Sequence, residues 1–264
     1  MRFVDAHVHL SDSEYEAYID EIIKDAKRSN VVALVSNSMN LQTSLQSIKL
    51  AEKHPKVVYA ALGIHPWNIK GLLPNELEHT TNLILNHKQH ERVVAIGEIG
   101  LDYKYLKEGK QELLNMQYEV FCKMLQLSEK LSLPAIIHSR GTTSKIMDIL
   151  SSYNIKKVLL HWFSNPMKLL PEIVERGYYI TEGPLTVYSS HIRDIVRRIP
   201  LTHLLTETDG PVRYFEPPFK GEMTSPTFIP QVAGAIAEIK SKEKSEVAEQ
   251  IFKNFESFFE IEQT

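Results

Sequence analysis

A chain of 264 residues is long enough for one large core, and α/β barrels of about 250 residues routinely form one domain. Its 43% apolar and 24% charged residues are the balance of an ordinary globular protein. A net charge of −3 excludes a broad basic face as the means of holding nucleic acid or an anionic membrane, so any such partner must be gripped locally. A lone Cys122 excludes an internal disulfide and suits a reducing compartment. Met1 runs directly into Phe3 and Val4, with no basic region and no apolar stretch of membrane-span length, so a cytoplasmic protein without a membrane partner is expected.

Short apolar runs alternate with amphipathic ones along the whole chain. Strands are expected at Phe3–Ala6, Val31–Val35, Val57–Leu62, Val93–Gly97, Ala135–Ile137, Val158–Leu160, Tyr178–Thr181 and His203–Thr206. After the first, Tyr15, Tyr18, Ile19, Ile22, Ile23 and Ala26 recur at helical spacing. After the fourth, Leu114, Tyr118, Phe121 and Leu125 do the same, and Val247, Ile251, Phe255, Phe258 and Phe259 mark a closing helix. Strands apolar throughout, each followed by a helix, are parallel strands buried on both faces. Eight such units give a single TIM-type (β/α)8 barrel over residues 1–264. An open doubly wound sheet is the rival, but no Gly-rich phosphate loop follows the first strand. The Gly63–Pro74 and Gly210–Pro226 segments read as long loops after strands, where a barrel builds its active site.

Polar residues cluster at the C-terminal ends of these strands. His7 and His9 leave strand one, His65 strand three, Glu98 strand four, His138 strand five, His161 strand six and Asp209 strand eight. In a barrel those ends share one face, so the residues converge. Two residues apart on an extended segment project the same way, which lets both rings of His7-x-His9 reach one ion. Core histidines are the competing reading for His138 and His161, yet the apolar runs before them drive both rings to a strand terminus. Glu98 lies between Gly97 and Gly100 in an apolar strand end, where glycine would let the backbone approach an ion closely. Asp209 reads as a ligand or a base, with a turn-forming aspartate as the alternative. The other histidines, His54, His79, His87, His90, His191 and His203, read as structural or surface residues, and Cys122 as a packed thiol.

In order, these segments resemble the TatD family of metal-dependent deoxyribonucleases, within the amidohydrolase-like barrels. They are Val4-Asp5-Ala6-His7-Val8-His9-Leu10, Gly63-Ile64-His65-Pro66, Gly97-Glu98-Ile99-Gly100-Leu101-Asp102-Tyr103, His138-Ser139-Arg140, His161-Trp162-Phe163-Ser164 and Glu207-Thr208-Asp209-Gly210-Pro211. The resemblance implies one ion on His7, His9, Glu98 and Asp209, a second on Glu98, His138 and His161, and hydrolysis of phosphodiester bonds from DNA ends. The chain departs from the commoner pattern at Trp162, where cysteine is usual, Asn165, where glycine is usual, and Gly210, where serine is usual. Its closing Asn254-Phe255-Glu256-Ser257-Phe258-Phe259 also lacks a customary arginine.

Two divalent ions some ~3.5–4 Å apart activate water and stabilise both oxygens of a displacement. Asp209 is the candidate general base, and Glu98 shares the catalytic centre. His65 and Arg140 are candidate phosphate contacts, and Tyr103, Trp162 and Phe163 candidate stacking surfaces for a terminal base; Glu207 is grouped with these substrate-side residues and could orient Asp209 or neighbouring backbone, with an exposed strand-end carboxylate as the alternative. Imidazole-rich ligands favour Zn²⁺, Mn²⁺ or Fe²⁺, whereas the resemblance implies Mg²⁺. The expected substrate is a DNA end or a single strand, with no obligate protein partner evident. The alternatives are hydrolysis of another bond on the same centre (aminoacyl-tRNA, lactone or amide) and a non-catalytic metal-binding scaffold.

Overall fold

The computed structural model describes residues 1–104 and 110–262. Eight strands pair in chain order, every ladder parallel. They are β1 (Phe3–Val8), β2 (Val31–Asn37), β3 (Val58–Leu62), β4 (Val93–Gly100), β5 (Ala135–His138), β6 (Val158–Leu160), β7 (Tyr179–Glu182) and β8 (Leu204–Thr206). Between and after them run α1 (Ile19–Arg28), α2 (Leu41–Lys53), α3 (Glu76–Asn86), α4 (Lys110–Leu131), α5 (Thr143–Leu150), α6 (Leu170–Glu175), α7 (Leu185–Tyr188), α8 (Ser190–Arg198), α9 (Ile229–Lys240) and α10 (Lys244–Phe259). This is the (β/α)8 barrel that the alternation predicts. No helix among the described residues is long and apolar enough to cross a membrane.

The seam between β8 and β1 is closed by bonds outside the ladders. Thr206 Oγ1 donates to Val4 O at 2.6 Å and Asp209 N to His7 O at 2.9 Å. The buried Asp5 carboxylate accepts from Thr208 N at 3.1 Å, from Thr208 Oγ1 at 2.5 Å and from His7 N at 3.2 Å. Asp5 thus ties the strand that bears His7 to the segment that bears Asp209. Asp5→Ala strands three buried donors and is expected to lower unfolding free energy by about 2–4 kcal/mol. Urea unfolding of the metal-free protein checks this, and a loss under about 0.5 kcal/mol would show that the tie is dispensable.

Several boundaries differ from the sequence expectation. β1, β2 and β4 run two or three residues further than expected, into His7, Asn37 and Glu98, because the mouth of the barrel accepts polar side chains while the ladder continues. β8 starts at Leu204: His203 belongs to a 3-10 turn, Leu201–His203, whose carbonyl Leu201 O is held by Asn254 Nδ2 at 2.7 Å. In α4 the inward stripe is Gln117, Val120, Phe121, Met124 and Leu125, and Tyr118 lies outside it, exposed under the Lys145 ammonium. Tyr15 sits in a separate 3-10 turn before α1, and Tyr18 is exposed. The Gly63–Pro74 loop contains a 3-10 helix over Pro66–Gly71. All five apolar residues expected on the closing helix are buried on α10.

Candidate metal centre

Strand geometry aims the side chains. The β4–β5 ladder shifts register between Ile96 and Ile99, and such an irregularity re-aims the side chain it contains, here Glu98. A second shift, between Asp5 and Val8, lies at His7. The glycines near Glu98 are required by strand packing: Gly100 has φ of 149°, and a Cβ there would lie 2.0 Å from His138 O.

The side chains of His7, His9, His65, Glu98, His138, His161 and Asp209 meet in one buried cluster. Glu98 is at its centre, and its two oxygens face different groups. Oε2 lies 3.3 Å from both His7 Nε2 and His9 Nε2. Oε1 lies 2.8 Å from His138 Nδ1, 2.8 Å from His161 Nε2 and 3.1 Å from His65 Nε2. Asp209 Oδ1 closes the first group, 3.4 Å from His7 Nε2 and 3.3 Å from His9 Nε2. The ring nitrogens themselves converge, His7 Nε2 to 3.3 Å of His9 Nε2 and His138 Nδ1 to 3.2 Å of His161 Nε2.

The outer nitrogens distinguish ligands from donors. His9 Nδ1 lies 3.0 Å from Asn37 O, a carbonyl that can only accept, so a ring proton is fixed there and Nε2 is the atom turned inward. His161 Nδ1 faces Glu207 Oε2 at 3.5 Å without a hydrogen bond, and its Nε2 is the atom turned into the cluster. His65 is set the other way. Its Nδ1 accepts from Trp67 N at 3.0 Å, which places the proton on Nε2 and makes that atom a hydrogen-bond donor into the site.

Charge follows the same division. Burial alone would raise Glu98, but His65, His161 and His7 hold its carboxyl well below the usual range. Asp209, also buried, is lowered by its bonds to His7 and His9. Burial opposes protonation of His9, yet Asp209 and Glu98 push it up to about 10. His161 is raised by Glu98 and Glu207 in the same contest. For His65 burial wins, and the ring drops to about 4, so it is neutral at neutral pH. Two ionised carboxylates and rings drawn toward cationic forms are a cavity that demands positive charge. Glu98 Oε2 is buried without a hydrogen-bond donor. A divalent cation would satisfy that oxygen and take the place of the inward ring protons, so the donor set fits a metal.

The profile of the TatD related DNase family matches residues 4–260. The chain belongs to the TatD family of metal-dependent hydrolases. It is 34% identical over 259 residues to an uncharacterized metal-dependent hydrolase of Methanocaldococcus jannaschii, covering 98% of this chain and 97% of that protein. It is 32% identical over 254 residues to the human deoxyribonuclease TATDN3, covering 93% and 90%. The crystal structure of YjjV, a TatD homolog from Escherichia coli, superposes with a TM-score of 0.89 at 27% identity, covering 99% of both chains.

Departures from the commoner TatD pattern leave this donor set untouched. Gly210 has a local cause: a Cβ there would lie 2.0 Å from the Tyr15 hydroxyl, which donates to Thr224 O at 2.5 Å, so glycine and Tyr15 go together. Trp162 is half-buried with φ of 42°, its ring 6.0 Å from Tyr214. Arg140 and Tyr103 are exposed on neighbouring loops, joined by Tyr103 N donating to Arg140 O at 3.3 Å. Two sequence expectations change. Glu207 is buried behind His161, holding the Thr181 hydroxyl at 2.5 Å, and is not on the substrate side. Phe163 is fully buried in the core, which removes it as a stacking surface. The sequence reading gave no role to Trp67, 58% exposed two residues after His65, or to Asp102, whose Oδ2 lies 2.6 Å from His138 Nε2. Of the histidines assigned elsewhere, His54 faces Asp20, His90 faces Glu52 and His191 donates to Ser164 O.

Proposed function

We propose that this protein is a binuclear metal-dependent phosphodiesterase acting on DNA ends or single strands. The observation that carries this reading is Glu98, whose two carboxylate oxygens face separate histidine groups. His7, His9, Glu98 and Asp209 would hold one divalent ion, and Glu98, His138 and His161 a second. When bound, such ions polarise a phosphoryl oxygen and bring the pKa of water toward about 7. Asp209 takes the proton that the attacking water gives up on its second oxygen, Oδ2, since Oδ1 faces His7 and His9 in the first ion group. His65 Nε2–H donates to a non-bridging oxygen of the scissile group, a task for a neutral ring fixed in one tautomer. Arg140 offers its fork to a neighbouring phosphate, and the exposed rings of Tyr103 and Trp67 at the mouth suit a terminal base. A recessed site at net charge −3 favours a strand end over duplex interior, since little affinity comes from counterion release.

End-labelled DNA and RNA, aminoacyl-tRNA and lactones, each with Mg²⁺, Mn²⁺ and Zn²⁺, test the substrate. Release of nucleotides from DNA ends is the expected result. Turnover of a carbonyl substrate alone would assign the same centre to deacylation or lactone hydrolysis. His65→Ala separates a donor from a ligand: both ions are expected to stay bound while kcat falls about 10²–10³-fold. Loss of an ion from that variant, seen by elemental analysis, would make His65 a ligand.

A further inference from the structure

Asp102 lies beyond the end of β4, on the loop that follows Glu98, and is fully buried. It is fixed on three sides. Its Oδ1 accepts from Lys104 N at 2.6 Å, its own N donates to Gln117 Oε1 at 3.0 Å, and Thr142 Oγ1 holds the preceding carbonyl, Leu101 O, at 2.8 Å. Gln117 is buried on α4 and also donates through Nε2 to Pro66 O at 3.3 Å, so the loop behind Asp102 is locked to the loop bearing His65. The remaining oxygen, Oδ2, is 2.6 Å from His138 Nε2. On the opposite edge of that ring, Nδ1 is 2.8 Å from Glu98 Oε1 and 3.2 Å from His161 Nε2.

We propose that Asp102 is the positioning residue of the second ion site, holding a His138 proton on Nε2 so that Nδ1, beside Glu98, is the atom left to the ion. This rests on the binuclear reading above. A carboxylate oxygen only accepts, so Nε2 must carry a proton to bond Asp102; Glu98 Oε1 beside Nδ1 is an acceptor too, so an ion binding there would displace the Nδ1 proton and take the lone pair of the neutral ring that Asp102 holds in place. Without that anchor the ring can turn or exchange tautomers, and either change withdraws the ligand atom. Outer partners of this kind alter metal affinity by about 10–100-fold. The two ion groups differ here: the outer nitrogen of His9 faces a backbone carbonyl, which no side-chain substitution removes, whereas the outer nitrogen of His138 faces a side chain. A change at Asp102 therefore reaches the second group and leaves the first as it was.

Asp102→Asn makes the cleanest change. The amide oxygen can keep the bond from Lys104 N, which turns the NH2 toward His138 Nε2. An amide nitrogen donates, so the ring proton is driven to Nδ1 and the lone pair faces away from Glu98. The test is calorimetric titration of chelator-stripped wild type and Asp102→Asn with Mn²⁺ and Zn²⁺, with thermal midpoints of the metal-free proteins as the control for folding. The expected result is two ions in the wild type, with one retained at wild-type affinity in the variant and the other weakened about 10–100-fold. Asp102→Ala, which cannot donate to Nε2, is expected to weaken the same ion. Unchanged affinities for both ions in Asp102→Asn would overturn the assignment while leaving the binuclear reading intact. Equal weakening of both ions would also overturn it, by making Asp102 a general support of the mouth. A single ion in the wild type would instead remove the binuclear reading and this proposal together.

Discussion

Asp209→Asn is expected to lower turnover on an end-labelled DNA strand by about 10²–10⁴-fold, the usual contribution of a positioned base. The asparagine keeps one oxygen where Oδ1 now stands, 3.3–3.4 Å from the rings of His7 and His9, so it can still serve as a weak oxygen ligand. It cannot accept a proton from water. Single-turnover rates measured beside metal content separate the two roles. Slow turnover with both ions present places the proton on Asp209. Slow turnover with one ion missing would make Asp209 chiefly a ligand, and the base would have to be another group.

Glu98→Gln has the widest expected reach. The two oxygens of Glu98 face different histidine groups, and the side chain is buried. An amide has a single acceptor oxygen, and its NH2 would confront either the His7–His9 pair or the His138–His161 pair. At least one ion is expected to be lost per chain, and hydrolysis with it, by about 10³-fold or more. Removing negative charge from a cluster of imidazoles has a second expected effect. The metal-free variant should also be less stable than the wild type, because the Glu98 Oε1 contacts to His138, His161 and His65 lose their negative charge and the amide NH2 meets imidazole nitrogens. Elemental analysis and thermal unfolding of the same preparation check both. Two ions retained at full affinity would mean that Glu98 is not the shared ligand.

The barrel was legible because strands buried on both faces must be apolar along their whole length. A histidine or glutamate that interrupts such a run is conspicuous, and this is how His7, Glu98, His138 and His161 stood out. The same contrast misled the boundaries. Polar residues were read as strand ends, yet at the barrel mouth His7, Asn37 and Glu98 continue the ladder. The glycines around Glu98 were also read by their chemistry, whereas Gly100 answers to the backbone of β5, a neighbour that only the fold supplies. Outer partners were the least legible. Asp102 precedes His138 by 36 residues, and nothing in that spacing says which carboxylate meets which ring. Asp5 is similar, since its partner Thr208 lies across the closing seam, 203 residues away. His65 showed how far residue type goes: it was visible as a site residue, but only the Trp67 N–H on its Nδ1 identifies it as a donor.

Anomalous diffraction from crystals grown with Mn²⁺ tests the central claim most directly. Two peaks are expected about 3.5–4 Å apart, one on each side of the Glu98 carboxylate. The first should lie among His7, His9 and Asp209, the second among His138 and His161, with His65 Nε2 outside bonding distance of both. A single peak, or a second one placed away from Glu98, would contradict the account.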